Sequence, residues 1–154
     1  MDRKGEPGSG TLNFFVTLPG RGRQGLFERH PVVKATVETL WPQVMRAHPQ
    51  LDAANYNVNG SRLHALVQVQ AGPEAAEAGR ALLDAALAAF QEISESAWQD
   101  YRQSEGVRSP AQLWDPAVEV RPVRDADEFL SLREFMVQKM LGGELSDLDD
   151  EEWY

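Results

Sequence analysis

Between Thr11 and Leu18 the chain alternates Leu12, Phe14, Val16 and Leu18 with Asn13, Phe15 and Thr17, which predicts a strand. Pro19 to Gly25 then breaks regularity, placing Gly20, Gly22 and Gly25 around Arg21 and Arg23. From Pro31 to His48, Val32, Val33, Val37, Leu40, Trp41 and Met45 follow helical spacing, with Pro42 expected to kink or interrupt the helix. Ala54–Asn59 and Ser61–Gln70 read as two strands joined tightly at Asn59-Gly60, a favoured hairpin dipeptide. Pro73 opens a long helix reaching towards Gln103, with Leu82, Leu83, Ala86, Leu87, Ala89 and Phe90 in its Ala-rich early part. Ser104–Ala111 is a loop and Ala117–Val123 a further strand. Asp125 with Glu128 caps a last helix through Leu141, which Gly142-Gly143 ends.

The order strand, helix, strand, strand, helix, strand, helix predicts an α+β sandwich with a mostly antiparallel sheet, for which ferredoxin-like topology is the nearest template. With 154 residues, one domain is expected over 11–143, after a flexible N-terminus at 1–10 and before an acidic tail at 144–154. That tail changes the charge picture. The chain carries a net −9, but 144–154 holds six acids and no base; setting them aside leaves 18 acids against 15 bases. The body is near balance, so a local basic face is compatible with the composition. The chain has no cysteine, so disulfides, thiolate zinc sites and cysteine nucleophiles are excluded. Residues 1–10 have no apolar core for a signal peptide, and no apolar run has membrane-spanning length, so the expected setting is the cytoplasm.

The strand from Ser61 carries the most chemistry. Leu63, Ala65, Val67 and Val69 point one way, and Arg62, His64, Leu66 and Gln68 point the other. Two residues at i and i+2 on such a face can converge on one ion or phosphate. Two imidazoles in this arrangement can hold a divalent metal that polarises a phosphodiester. Here one partner is arginine, which is always protonated, has no lone pair for a metal, and binds phosphate instead.

Three stretches together resemble the single-tyrosine HUH transposases, in particular the REP-associated tyrosine transposases. They are Leu12–Leu18 with the following Gly20–Phe27 turn, Tyr56–Val67, and Leu113–Phe129, where Leu-Trp is followed at a distance by Arg and Arg-Asp. The resemblance spans most of residues 11 to 141. It implies an HUH transposase-like fold and an ancestry in DNA transposition. It also implies losses. The first histidine of the HUH pair falls on Arg62, and the second is kept as His64. The family's nucleophilic tyrosine falls on Phe135, and a polar residue that can help hold the metal falls on Lys139. Phenylalanine has no hydroxyl to attack phosphorus, and lysine repels a cation. The resemblance therefore implies no confident catalytic residue, no metal and no cofactor.

Within the last helix, Phe129, Leu132, Met136 and Met140 form an apolar stripe, and Phe135 is expected off it, beside Ser131, Gln138 and Lys139. Such an aromatic either faces a cleft or packs on the long helix or the tail. Tyr56, Tyr101 and Tyr154 remain as tyrosines, with packing roles expected for the first two. His30 and His48 flank helix ends without metal-ligand spacing. Arg21, Arg23, Arg62, His64, Arg121 and Arg124 are the expected DNA contacts, each of which could instead be an ordinary surface or strand residue. Asp147–Tyr154 places two aromatics after an acidic run and could dock a basic groove on a protein partner, fold back on the chain's own arginines, or serve as a solubilising tail.

The expected function is a regulatory or domesticated pseudoenzyme that binds single-stranded or hairpin DNA. The alternatives are a protein-interaction scaffold acting through its tail, and an active transposase with an atypical site.

Overall fold

The computed structural model describes residues 11–22, 25–70 and 76–141. Four strands form one sheet in the order β2-β3-β1-β4: β1 is Thr11–Pro19, β2 Leu51–Asn59, β3 Arg62–Gln70 and β4 Glu119–Pro122. All neighbours are antiparallel, and β2 turns directly into β3 through Gly60, whose φ is 61°. The helices are α1, Leu26–Arg29; α2, Pro31–Met45; α3, Ala76–Glu105; and α4, Ala126–Leu141. This is the α+β sandwich expected from the element order.

Both faces of the sheet are covered, which explains why β1 and β3 are buried almost throughout. On one face Phe14, Val16 and Leu18 of β1 join Leu63, Ala65, Val67 and Val69 of β3 against Trp41 of α2 and Phe90 and Trp98 of α3. On the other face Phe15 and Leu66 form a smaller core with Val123, Leu132 and Met136. The second core lies under α4, with which Phe129 and Phe135 pack. The candidate site residues His64, Arg121 and Phe135 lie on this α4 face.

The helix α2 is not interrupted at Pro42. Proline there has no N–H to donate to the Glu38 carbonyl four residues earlier. That carbonyl instead accepts the Tyr56 hydroxyl of β2 at 2.8 Å, so a strand side chain completes the helix. Burial, and then the nearby Glu38 carboxylate, raise the Tyr56 pKa above its ordinary value. Tyr56→Phe is expected to leave a carbonyl without its donor and to cost about 1–2 kcal/mol in chemical denaturation. An unchanged denaturation midpoint would contradict this role.

Two further segments differ from the expected elements. α1 is a single turn that the hydrophobic pattern does not announce; Leu26 and Phe27 bury it, and Gly25 enters it with φ 78°. The fourth strand is only four residues long: before it the N–H groups of Ala117 and Val118 turn back to Asp115 Oδ1 and the Pro116 carbonyl instead of joining the sheet, and the segment before those is tied to α3. Glu95 accepts the N–H groups of Leu113 and Trp114 at 2.8 and 3.3 Å, and Trp98 Nε1 donates to the Pro110 carbonyl at 3.0 Å. Arg102 reaches the carbonyls of Val107, Arg108 and Ala111. This segment pairs back onto Gly20 through Trp114. At Gly20 a Cβ would lie 2.9 Å from the Ser61 carbonyl oxygen, so only glycine admits the hairpin this closely.

Candidate functional site

The alternation of β1, β3 and β4 delivers a set of side chains to the α4 face. His64 of β3 sits opposite Thr17 of β1, which in turn sits opposite Glu119 of β4. One step along, Leu66, Phe15 and Arg121 form the next row. On the far side of His64 stands Asn57 of β2, and Arg62 is opposite Asn59. Above the sheet, α4 contributes Leu132 and Phe135.

Of these, Phe15, Thr17, His64, Glu119, Arg121, Leu132 and Phe135 line a cavity of about 310 Å³. Phe15 and His64 form one part of its wall, with ring centroids 5.7 Å apart and planes inclined by 20°. Phe135 meets both edge-on, at 5.6 Å from His64 and 6.2 Å from Phe15. His64 is only 5% exposed, so its imidazole is held by aromatic packing as well as by the strand. Thr17, Glu119 and Arg121 supply the polar wall.

The charged groups at this end are coupled to one another. Glu128 pairs with Arg121 at 2.8 Å and with Arg124 at 3.4 Å, and it accepts the Arg124 backbone N–H at 2.7 Å. The Arg124 backbone hydrogen bond, with the two guanidiniums, holds the Glu128 carboxyl below its ordinary pKa. Arg121 also lies over Phe15, 5.8 Å from the ring centroid. As expected for a cap, Asp125 Oδ1 accepts the Glu128 N–H at 2.8 Å. α4 is further fixed by Asn57 Nδ2, which donates to the Met136 carbonyl at 2.9 Å.

The expected site residues therefore divide. His64, Phe135 and Arg121 share the cavity. Arg62 projects from the same strand face, two residues before His64, but does not line the cavity wall. Arg124 is at the start of α4 beside Glu128, 82% exposed. Arg21 lies past the end of β1, its N–H bound to the Leu113 carbonyl at 2.7 Å, outside the cavity. Arg23, the Lys139 side chain and the whole 144–154 tail, including Asp147–Tyr154, lie outside the described residues.

One expectation needs correction. Phe135 does not stand apart from the apolar stripe of α4. Three residues from Leu132 is only about 60° short of a full turn, and Phe135 packs on the same small core as Leu132 and Met136. Its ring meets Phe15 of β1 and His64 of β3.

The remaining tyrosine and histidine near the helices are structural. His30 Nδ1 and the Tyr101 hydroxyl share a hydrogen bond of 3.0 Å, and both rings pack on Trp98. Burial first, and Arg29 second, lower the His30 pKa.

Several residues of the site are not evident from the sequence pattern. Asn13, Thr17, Asn57 and Asn59 are buried polar side chains on the α4 face, and Glu119 is the acidic member of the cavity wall. The alternation Asn55, Asn57, Asn59 along one strand was the available signal for the two buried asparagines of β2, since it gives that stretch an amide face. Among the described residues, no cluster of three or more His, Cys, Asp or Glu could hold a metal ion. The residues present do not fit a divalent metal here: the strand position two before His64 carries a cation, and Phe135 has no donor atom.

No family model matches the chain, and no curated protein matches it. Among solved structures, the "putative transposase" of Deinococcus radiodurans R1 aligns over 90% of this chain and 98% of its own, with 16% identity and a TM-score of 0.45. A REP-associated tyrosine transposase bound to a REP hairpin aligns over 93% of this chain and 74% of its own, with 14% identity and a TM-score of 0.50. In its sheet and helices the chain thus has a transposase-like fold.

Proposed function

We propose that this protein binds single-stranded or hairpin DNA in the cleft between β3, β4 and α4, and has lost the ability to cut it. The observation that carries this reading is the contact between His64 and Phe135, 5.6 Å between ring centroids, in a cavity whose strand also bears Arg62. In this reading the helix side chain that meets the strand histidine stands in for the nucleophile, and here it is a hydrocarbon ring. The neighbouring guanidinium of Arg62 offers a phosphate its donors but offers a metal nothing. The DNA hairpin held by the transposase of similar fold supports the choice of ligand. Arg62, Arg121 and Arg124 would contact the backbone, as would Arg21, which follows the end of β1 that pairs with Arg62; Arg23 is the remaining expected contact. A regulatory or domesticated role suits a binder that leaves its DNA intact.

A second reading is favoured by Glu128, which engages both Arg121 and Arg124. With those cations already paired and a net charge of −9, the fold could serve as a scaffold for protein contacts. One experiment separates the readings. The whole chain is mixed with a DNA hairpin carrying a single-stranded arm, in magnesium or manganese, and followed by native and denaturing gels. A retained complex with both strands intact is the expected result. Metal-dependent cutting of either strand, whether or not Tyr101→Phe abolishes it, would overturn the inactive reading, and absence of any complex would favour the scaffold.

A further inference from the structure

We infer that the outward face of α4 is a dimerisation surface, on which a second copy of this chain docks antiparallel about a two-fold axis passing between Arg133 and Glu134. The inference goes beyond the DNA-binding reading and does not depend on it.

Successive helix residues turn by about 100°, so Leu130, Arg133, Glu134 and Val137 fall within a stripe roughly 100° wide. All four are exposed, while Leu132 and Met136, which pack α4 onto the sheet, lie on the other side of the helix. Leu130 is 57% exposed and Val137 44%. An exposed leucine by itself signifies nothing, since much of any protein surface is apolar. What points to a partner is the order of the stripe: apolar, basic, acidic, apolar.

That order is its own complement. When the helix is turned end for end about the midpoint of 133 and 134, Leu130 of one copy faces Val137 of the other, and Arg133 faces Glu134. A two-fold axis repeats each contact, so one stripe yields two apolar pairs and two ion pairs. The antiparallel arrangement also sets the two helix dipoles against each other favourably.

The charges are available for such pairing. No ion pair joins Arg133 or Glu134 to another described residue. Their own helix supplies none either. The positions three and four residues from Arg133 are Phe129, Leu130, Met136 and Val137, and those from Glu134 are Leu130, Ser131, Val137 and Gln138. An unrelated partner would need complementary side chains in the same register, which a second copy has by identity. Because the inward face of α4 supplies Leu132 and Phe135 to the cavity wall, a dimer carries two clefts whose α4 helices stand back to back.

Sedimentation velocity of the whole chain, over about 10 μM to 1 mM, tests this. A helix pair of roughly four turns makes an interface below the roughly 1,200 Å² of the standard class, so a dissociation constant on the order of 100 μM is expected. Arg133→Glu sets two acidic pairs across the axis, and Glu134→Arg sets two basic pairs. Each change alone is expected to weaken the dimer by about tenfold or more. Mixed in equal amounts, the two variants are complementary again, and a heterodimer of near-parent affinity is expected. The inference is overturned by a parent chain that stays monomeric at every concentration, by single variants that dimerise like the parent, or by a mixture that fails to pair.

Discussion

Replacing Trp98 with alanine is expected to destabilise the protein by about 3–5 kcal/mol and to lower its melting temperature by roughly 10 °C. The indole is fully buried in the larger core and stacks on Tyr101, with ring centroids 5.7 Å apart. Its Nε1 donates to the Pro110 carbonyl at 3.0 Å, so the substitution opens a cavity and removes a hydrogen bond together. The consequence should reach the site. The 107–114 segment that Trp98 holds pairs with Gly20 through Trp114 and leads into β4, which carries Glu119 and Arg121. Trp98→Phe keeps much of the volume and should fall between alanine and the parent. Differential scanning calorimetry measures both; a shift of only a degree or two for alanine would mean that the segment is not held as described.

The second large effect concerns Arg62. Arg62→Glu is expected to weaken binding of a DNA hairpin with a single-stranded arm by about tenfold or more at low salt, since it exchanges a phosphate donor for a repelling carboxylate. The dependence of log affinity on log salt should become shallower by about 0.7 for each single-strand phosphate that the protein no longer neutralises. Arg62 is half buried on the sheet, so Arg62→Gln, which keeps a long polar side chain, guards against misfolding as the cause. Gln should show the reduced slope with a smaller drop in affinity. Titrations at several salt concentrations give both quantities, and a slope unchanged in both variants would exclude Arg62 from the DNA interface.

Much of this architecture was legible because the hydrophobic periods are clean. Leu12 to Leu18 and Leu63 to Val69 alternate, and Asn59-Gly60 marks the hairpin, so the strands and their tight connection follow from spacing alone. What spacing could not express was anything that depends on distant partners. Pro42 signals a break, yet α2 continues because Tyr56, far along the chain, supplies the hydrogen bond that the Glu38 carbonyl lacks. The single turn of α1 is too short to show a period, and it persists because Leu26 and Phe27 are buried by the rest of the fold. In the site, Arg62 and His64 were visible as an i, i+2 pair, and Phe135 was reached through a family resemblance. The placement of Phe135 against His64 and Phe15 is a tertiary fact. So is the pairing of Arg121 and Arg124 with Glu128, which makes two expected DNA contacts members of an ion-pair network. Phe15 was the overlooked clue: a large aromatic on the otherwise polar face of β1 means that this face is covered too.

The most direct test of the cleft is the imidazole proton spectrum of the whole chain during titration with a DNA hairpin. The three histidines are spread usefully: His64 in the cavity wall, His30 packed against Trp98 and Tyr101, and His48 beyond the end of α2. The His64 signals should shift as DNA is added while those of His30 and His48 hold their positions. Tight binding that leaves His64 unmoved would place the DNA elsewhere on the protein and contradict the account.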